Sequence, residues 1–281
     1  MNALLRSPTL QLLLPLLLAY AGSLVWIWDM WFFREAYYSH GPLVVLAALW
    51  LIHDRRQGWE KVPSAPNARG WWLLGLALAV HAGGGALTID SVSAASLIPA
   101  IAGVVWIAQG TARLRVLLPV LGLLLFAVPT PLVIQSRMAF ELKEWAVEGG
   151  LALAQLCGVG AERIGSEVRI SGQTGSLVVA DACSGLRSLV ALITLGYGIA
   201  FFMGSQVGVR RWAILAAAAP VAVATNAVRI GLICMLASGF GTEFASTTGH
   251  DWVSGAVWLI DLGILMGIDA ILSRQRPRRS A

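Results

Sequence analysis

Apolar stretches recur along nearly the whole chain, near residues 9–28, 38–53, 71–88, 94–109, 114–132, 183–204, 211–238 and 250–272. About 20 apolar residues in a helix match the ~30 Å hydrocarbon core of a bilayer. No water is present there to satisfy backbone N–H and C=O groups, so windows of this length select helices. Composition agrees: 57% of residues are hydrophobic, 12% are charged, and the mean hydropathy is +0.74. A soluble domain has about twice that charged share, because it must cover its surface with polar groups. The expected fold is therefore an all-α polytopic membrane protein, 1–281 forming one membrane domain with about eight transmembrane helices. The second and fourth windows are the shortest. Ala19-Tyr20-Ala21 fits a small-residue cleavage pattern, but the apolar run continues to Trp28, so Leu10–Trp28 is expected as a retained first helix.

The net charge of +5 does not point to nucleic acid, because no basic soluble domain exists to carry such a role. The basic residues sit in short loops and in the tail RQRPRRS, where they read as topology signals with a secondary attraction to anionic membrane lipid. A cytoplasmic N-terminus would put Arg6, Arg55, Arg56, Lys61, Arg69, Arg113, Arg115, Arg210, Arg211, Arg274, Arg276, Arg278 and Arg279 inside. The short outer loops around Gly83–Ser93 and Gly239–Gly249 then contain no basic residue. Both termini are expected in the cytoplasm.

One outer segment, about 130–182, is long enough for structure of its own. From Gln135 to Cys157, Met138, Leu142, Trp145 and Leu151 recur at helical spacing with Lys143, Glu144 and Glu148 between them. This pattern predicts an amphipathic helix on the membrane surface. VRISGQTGSLVVADA follows, with two β-rich runs around Ser171–Gly175, and predicts a β-hairpin ending on Asp181-Ala182-Cys183.

Three side chains far apart in sequence are expected near the outer face. Cys183 opens the sixth window in ACSGLRS, Arg229 lies within the seventh in NAVRI, and His250 opens the eighth in TGHDW. A guanidinium inside an apolar helix costs about 2.5–3.5 kcal/mol on insertion scales, so Arg229 must face protein or water and find a partner. Its structural reading is an arginine paired with a carboxylate such as Asp181 or Asp251. Cys183 stands at a helix start, where the dipole favours a thiolate; Arg187 adds positive charge one turn on, and Ser184-Gly185 leave room for a substrate backbone. Cys157 and Cys234 read as inert packing. His40, in YYSHGPLV, either supports the site or caps its helix with Ser39, and His81 is expected to hydrogen-bond within the bundle. A thiol, an imidazole and a guanidinium are what cysteine acyl transfer uses as nucleophile, proton carrier and oxyanion stabiliser. No cysteine pair or ligand cluster has metal spacing, and no cofactor is implied. Two other classes compete: a transporter or assembly scaffold in which Arg229 is structural, and a thiol oxidoreductase, which the lack of a second cysteine near Cys183 disfavours.

ACSGLRS after a β-rich stretch, NAVRI in the next span and a histidine opening the last one resemble the exosortase/archaeosortase family. YYSHGPLVVLAALWLIHDRR is similar to that family's early segment, so the resemblance runs from about Tyr37 to Trp258. It implies a bacterial inner-membrane cysteine transpeptidase with its active site on the extracytoplasmic face. Its substrates would be exported proteins with a C-terminal motif (PEP in PEP-CTERM proteins), a membrane helix and a basic tail. It would cleave them through a thioester and pass them to an acceptor such as a glycan or lipid. Carried over by position, Cys183 is the nucleophile, Arg229 the family's arginine and His250 the third catalytic position, with His40, Ser184, Arg187 and Asp181 in support.

Overall fold

The computed structural model describes residues 8–33, 37–165, 167–178, 185–203 and 208–274. It forms two compact units, Met1–Leu132 and Val133–Ala281.

In the first unit, α1 (Pro8–Ala19) and α2 (Ala21–Phe32) are bent by 67° about Tyr20. The Tyr20 ring is fully buried, and its hydroxyl lies 2.8 Å from Ser96 Oγ and 3.3 Å from the Ala77 carbonyl. A buried phenol needs such partners, and the bend turns it towards them. The first window is thus a bent pair rather than one straight helix. α3 (Gly41–Asp54) leads into the short α4 (Arg56–Lys61), and α5 (Gly70–Ala86) precedes α6 (Asp90–Ala95) and α7 (Leu97–Gln109). α8 (Thr111–Leu124) ends in a single 3-10 turn, Leu125–Ala127. α5 and α7 approach closely at Gly103, where a Cβ would lie 2.9 Å from Leu74 N. Leu16, Tyr20, Leu74, Ala77, Leu97, Ala100 and Val104 fill the space between α1, α5 and α7. His81 bonds within the bundle as expected: its Nδ1 lies 2.8 Å from Ser93 Oγ, and its ring packs on Tyr20 at 3.8 Å.

The second unit opens with α9 (Leu132–Leu156), which covers the expected amphipathic segment. α9 turns a face rich in small residues to the protein and leaves much of the apolar stripe exposed. Gln135, Ala139, Ala146, Val147, Gly150 and Ala154 are buried, whereas Met138 and Trp145 are exposed. Small residues face inward because α9 crosses a later helix, α11 (Val209–Phe240), at close range. A Cβ at Gly150 would lie 2.6 Å from Ile230 Cγ2, and one at Gly231 would lie 3.1 Å from the Gly150 carbonyl. Bulky side chains cannot occupy such a crossing, and turned outward they meet lipid at little cost.

The predicted hairpin is present as β2 (Glu167–Ile170) and β3 (Ser176–Val178), and β1 (Ala161–Ile164) extends it to an antiparallel sheet of order β1-β2-β3. β1 is tied to α9 by a two-pronged ion pair, with Arg163 Nη1 and Nη2 each 2.6 Å from a Glu144 carboxylate oxygen. That hydrogen-bonded guanidinium holds the Glu144 carboxyl below its ordinary pKa. The sheet packs on α11 through Val168, Ile170 and Leu177, which share a core with Ala146, Val147, Ile230, Ile233, Cys234 and Ala237. Gln173 Nε2 donates to the Ser238 carbonyl at 3.1 Å.

α10 (Leu186–Gly198) continues into a π turn, Ile199–Met203. After α11 come α12 (Thr242–Ser246) and α13 (Thr248–Arg274). α11 and α13 run antiparallel and are pinned at the end opposite the sheet, where Arg210 Nη2 meets Asp269 Oδ1 at 2.6 Å.

Among the described residues, three helices are long and apolar enough to cross a membrane: Asp90–Gln109, Arg210–Phe240 and Thr248–Ser273. The count rises to five if Pro8–Ala19 with Ala21–Phe32, and Thr111–Ala127 with Leu132–Leu156, are each one broken span. Gly41–Asp54 and Leu186–Phe202 are shorter apolar helices. At 1.5 Å per residue, the 14 residues of α3 span about 21 Å, less than the hydrocarbon thickness. The protein is therefore a mostly helical membrane fold with a small sheet, and eight apolar windows yield fewer full-length helices.

Candidate active site

The polar interior of the second unit is built on the seam between α11 and α13. On α11, Thr225, Asn226 and Arg229 occupy one face, spaced three and four residues apart, and all are buried. Arg229 is 8% exposed despite its charge. On α13, the inward stripe runs through His250, Ser254, Val257, Asp261 and Leu265, at the i, i+4, i+7, i+11, i+15 spacing that keeps one helix face inward. Val257, Asp261 and Leu265 are buried, and Asp261 is 1% exposed.

Three contacts set the register of this seam. Leu236 Cδ1 lies against Gly249, Thr225 meets the Asp261 carboxyl, and Arg210 meets Asp269. Arg229 stands one turn from Thr225 and close enough to Asp261 for their charges to interact. His250 lies on the same α13 face, 11 residues before Asp261, or about 16 Å along the axis. Arg229 is one turn closer to His250 than Thr225 is, which leaves about 10 Å of helix between their levels. His250 is partly exposed, and its Nδ1 is 3.5 Å from Asp251 Oδ1.

A carboxylate outside the expected pair lies within Coulombic range of Arg229. Asp251 lies beside His250 with its side chain 86% exposed, and Asp181 lies outside the described residues. The unexpected carboxylate is Asp261, from WLIDLGILM. The signal that could have found it was available, since an acid within an apolar window is as costly as a base.

α10 meets the seam at its N-terminus. Gly185, its N-cap, has φ +78 and ψ −2, a left-handed conformation that glycine adopts without strain. A Cβ here would stand 2.6 Å from Asn226 Cγ. The Gly185 backbone thus rests on the Asn226 side chain, one turn from Arg229. Cys183 and Ser184, like Asp181, lie outside the described residues, and they directly precede Gly185 in sequence. Arg187 is exposed on the first turn of α10.

His40 belongs to the first unit. It occupies the N-cap position of α3 but makes no side-chain capping bond. Its ring stacks on Tyr38 with centroids 5.8 Å apart, and it bonds to the Phe126 backbone. Burial pushes its imidazole below the ordinary pKa, and the Phe126 bond opposes this more weakly. Cys234 is buried, as inert packing requires, but Cys157 is exposed at the end of α9. Among the described residues, no three His, Cys, Asp or Glu side chains converge as a metal site would need.

An intramembrane Arg–Asp pair beside a glycine-opened helix start is a costly arrangement to keep, and such groups mark function in membrane bundles more often than they stabilise them. Neither a curated protein nor a solved structure matches the chain. The family model of the transmembrane exosortases does match, over residues 28–267 and so across both units, and the chain belongs to that family of membrane transpeptidases.

Proposed function

We propose that the protein is a cysteine endopeptidase and transpeptidase. Its substrates are exported proteins that end in a short motif, a membrane helix and a basic cluster, and it acts on them at the extracytoplasmic face of the inner membrane. The observation that carries this reading is the contact of Gly185 with Asn226, one turn from Arg229. Cys183 is two residues before Gly185 in sequence, and two trans peptide units span at most about 7.6 Å between Cα atoms. A thiol tethered so closely is within side-chain reach of the seam that holds Arg229.

The Cys183 thiolate attacks the scissile carbonyl carbon, and the oxygen takes up the negative charge. Arg229 meets that oxyanion with a fixed positive charge in a water-poor interior, where such a contact is worth far more than in water. As the C–N bond breaks, His250 gives its proton to the departing amine, leaving the substrate as a thioester on Cys183. A nucleophile on a glycan or lipid acceptor then attacks the thioester, His250 takes the acceptor's proton, and the thiolate is restored. Asn226 supports the Gly185 turn and thereby the start of the helix that presents the thiol. The carbonyl oxygen and the leaving amine belong to one peptide bond, so the long Arg229 and His250 side chains must both reach along the seam to meet it.

The deciding experiment is co-expression with a host protein carrying a C-terminal PEP motif, helix and basic tail, followed by mass spectrometry of the enzyme. The expected result is a substrate fragment joined to Cys183 through an alkali-labile thioester, and no processing by Cys183→Ala. Continued processing by Cys183→Ala would end the acyl-transfer reading.

A further inference from the structure

We propose that Asp261 is the positioning residue of Arg229: its carboxylate is the counter-charge that holds the guanidinium at the seam and limits how strongly that charge acts on the Cys183 thiol. The inference rests on the acyl-transfer reading and adds to it a residue that touches neither substrate nor thiol.

Four observations converge on Asp261. It is 1% exposed, in the middle of a 27-residue helix whose other inward neighbours, Val257 and Leu265, are apolar. It faces Thr225 and lies within Coulombic range of Arg229, both on α11. Thr225 bonds to the carboxyl but also lies 2.9 Å from the Val221 carbonyl, so its single hydroxyl proton is shared between two acceptors. Asp261 Oδ1 has no hydrogen-bond partner among the described residues, a condition that buried carboxyls avoid unless a charge compensates them.

A purely structural carboxyl in a helix interior would be satisfied by hydroxyl or amide donors. Asp261 instead has one hydroxyl beside it and a cation one helical turn away, so it is placed for charge balance rather than for a hydrogen-bond network. A guanidinium is protonated at any working pH, so the charge needing balance is always present. A fixed anion behind it offsets the cost of burial and keeps the side chain from snorkelling along α11. The other charged or titratable groups on these three helices are Arg187 and Tyr197 on α10, Arg210, Arg211 and Cys234 on α11, and His250, Asp251, Asp269 and Arg274 on α13, of which Arg210 and Asp269 pair with each other at the far end.

The test reads the thiol and needs no substrate. The full-length protein in detergent or nanodiscs is alkylated with iodoacetamide between pH 5 and 10, and the labelling rate of each cysteine peptide is followed by mass spectrometry. Exposed Cys157 is the internal control. Arg229→Gln should raise the pH midpoint of Cys183 labelling by about one unit, because a nearby cation favours the thiolate. Asp261→Asn keeps shape and volume but removes the anion; it should lower that midpoint by about half a unit and leave Cys157 unchanged. Asp261→Glu should restore the wild-type midpoint, which rescue of packing alone would not do. A shift with Arg229→Gln and none with Asp261→Asn would overturn the role of Asp261 and leave acyl transfer standing. No shift with Arg229→Gln would overturn both. A changed Cys157 rate in Asp261→Asn would also overturn the proposal, because it would mark Asp261 as a folding residue.

Discussion

The two units bury polar side chains in opposite ways. In the first, a cluster of buried neutral groups bond to one another. Tyr20 bonds to Ser96 and the Ala77 carbonyl, Ser23 meets Ser93 at 3.1 Å, and Ser93 also meets His81. In the second, the buried polar groups include full charges, Arg229 and Asp261, and the Asp261 carboxyl and the Ser254 hydroxyl each keep a buried oxygen without a hydrogen-bond partner. A closed set of neutral bonds holds helices together and asks nothing further of its surroundings. Buried charge with capacity to spare destabilises unless something else uses it, so the second unit is where chemistry belongs.

This contrast predicts different outcomes for the same kind of change. Arg229→Ala should insert and fold yet lose at least about 100-fold in substrate processing, the usual scale for removing an oxyanion stabiliser. Full activity with normal membrane levels would remove the guanidinium from the mechanism and make the second unit as structural as the first. Gly185→Ala should come next. It forces a left-handed non-glycine residue and a clash with Asn226, for about 1–3 kcal/mol of strain, and processing should fall by about tenfold or more. Unchanged turnover would mean that α10 can begin elsewhere without consequence.

Tyr20→Phe probes the first unit. Losing the hydroxyl leaves Ser96 short of a partner and should cost about 1–2 kcal/mol in thermal or denaturant unfolding, with activity per folded molecule unaltered. A selective loss of activity would break the division between the units. The smallest effect is expected at Glu144, whose carboxyl pairs with Arg163 at the sheet. Its folded pKa is depressed, so its contribution is present above the unfolded value of 4.5 and lost as pH falls through the lower folded value. The melting-temperature gap between wild type and Glu144→Gln should be small at pH 7 and should close below pH 4. A gap that widens in acid would contradict the sign.

Much of the site was legible before any fold was known. Arg229 drew attention because a guanidinium within NAVRI has no place in lipid, and Gly185 lay inside a motif already singled out. Asp261 was as visible in WLIDLGILM, but its approach to Arg229 was not, because that depends on the register of α13 against α11. The protein-facing side of α9 also depends on tertiary contacts. Hydrophobicity ranks Met138 and Trp145 above Ala146 and Gly150, but in a bilayer bulky apolar groups can face lipid, and close helix crossings select small ones. β1 escaped notice because AERI lacks the apolar alternation that marks EVRI and SLV.

The sequence alone determined that this chain lives in a bilayer, that it is helical, and that it belongs with the exosortases. Transfer energies add residue by residue, and motifs are local, so both can be read along a line. Only the tertiary structure decided where helices bend, how many of the described ones are long enough to span, and that Asp261 comes within range of the intramembrane arginine. Those outcomes are set by contacts between residues tens of positions apart, where a shift of one residue in helix register turns a side chain by about 100° and replaces its neighbours.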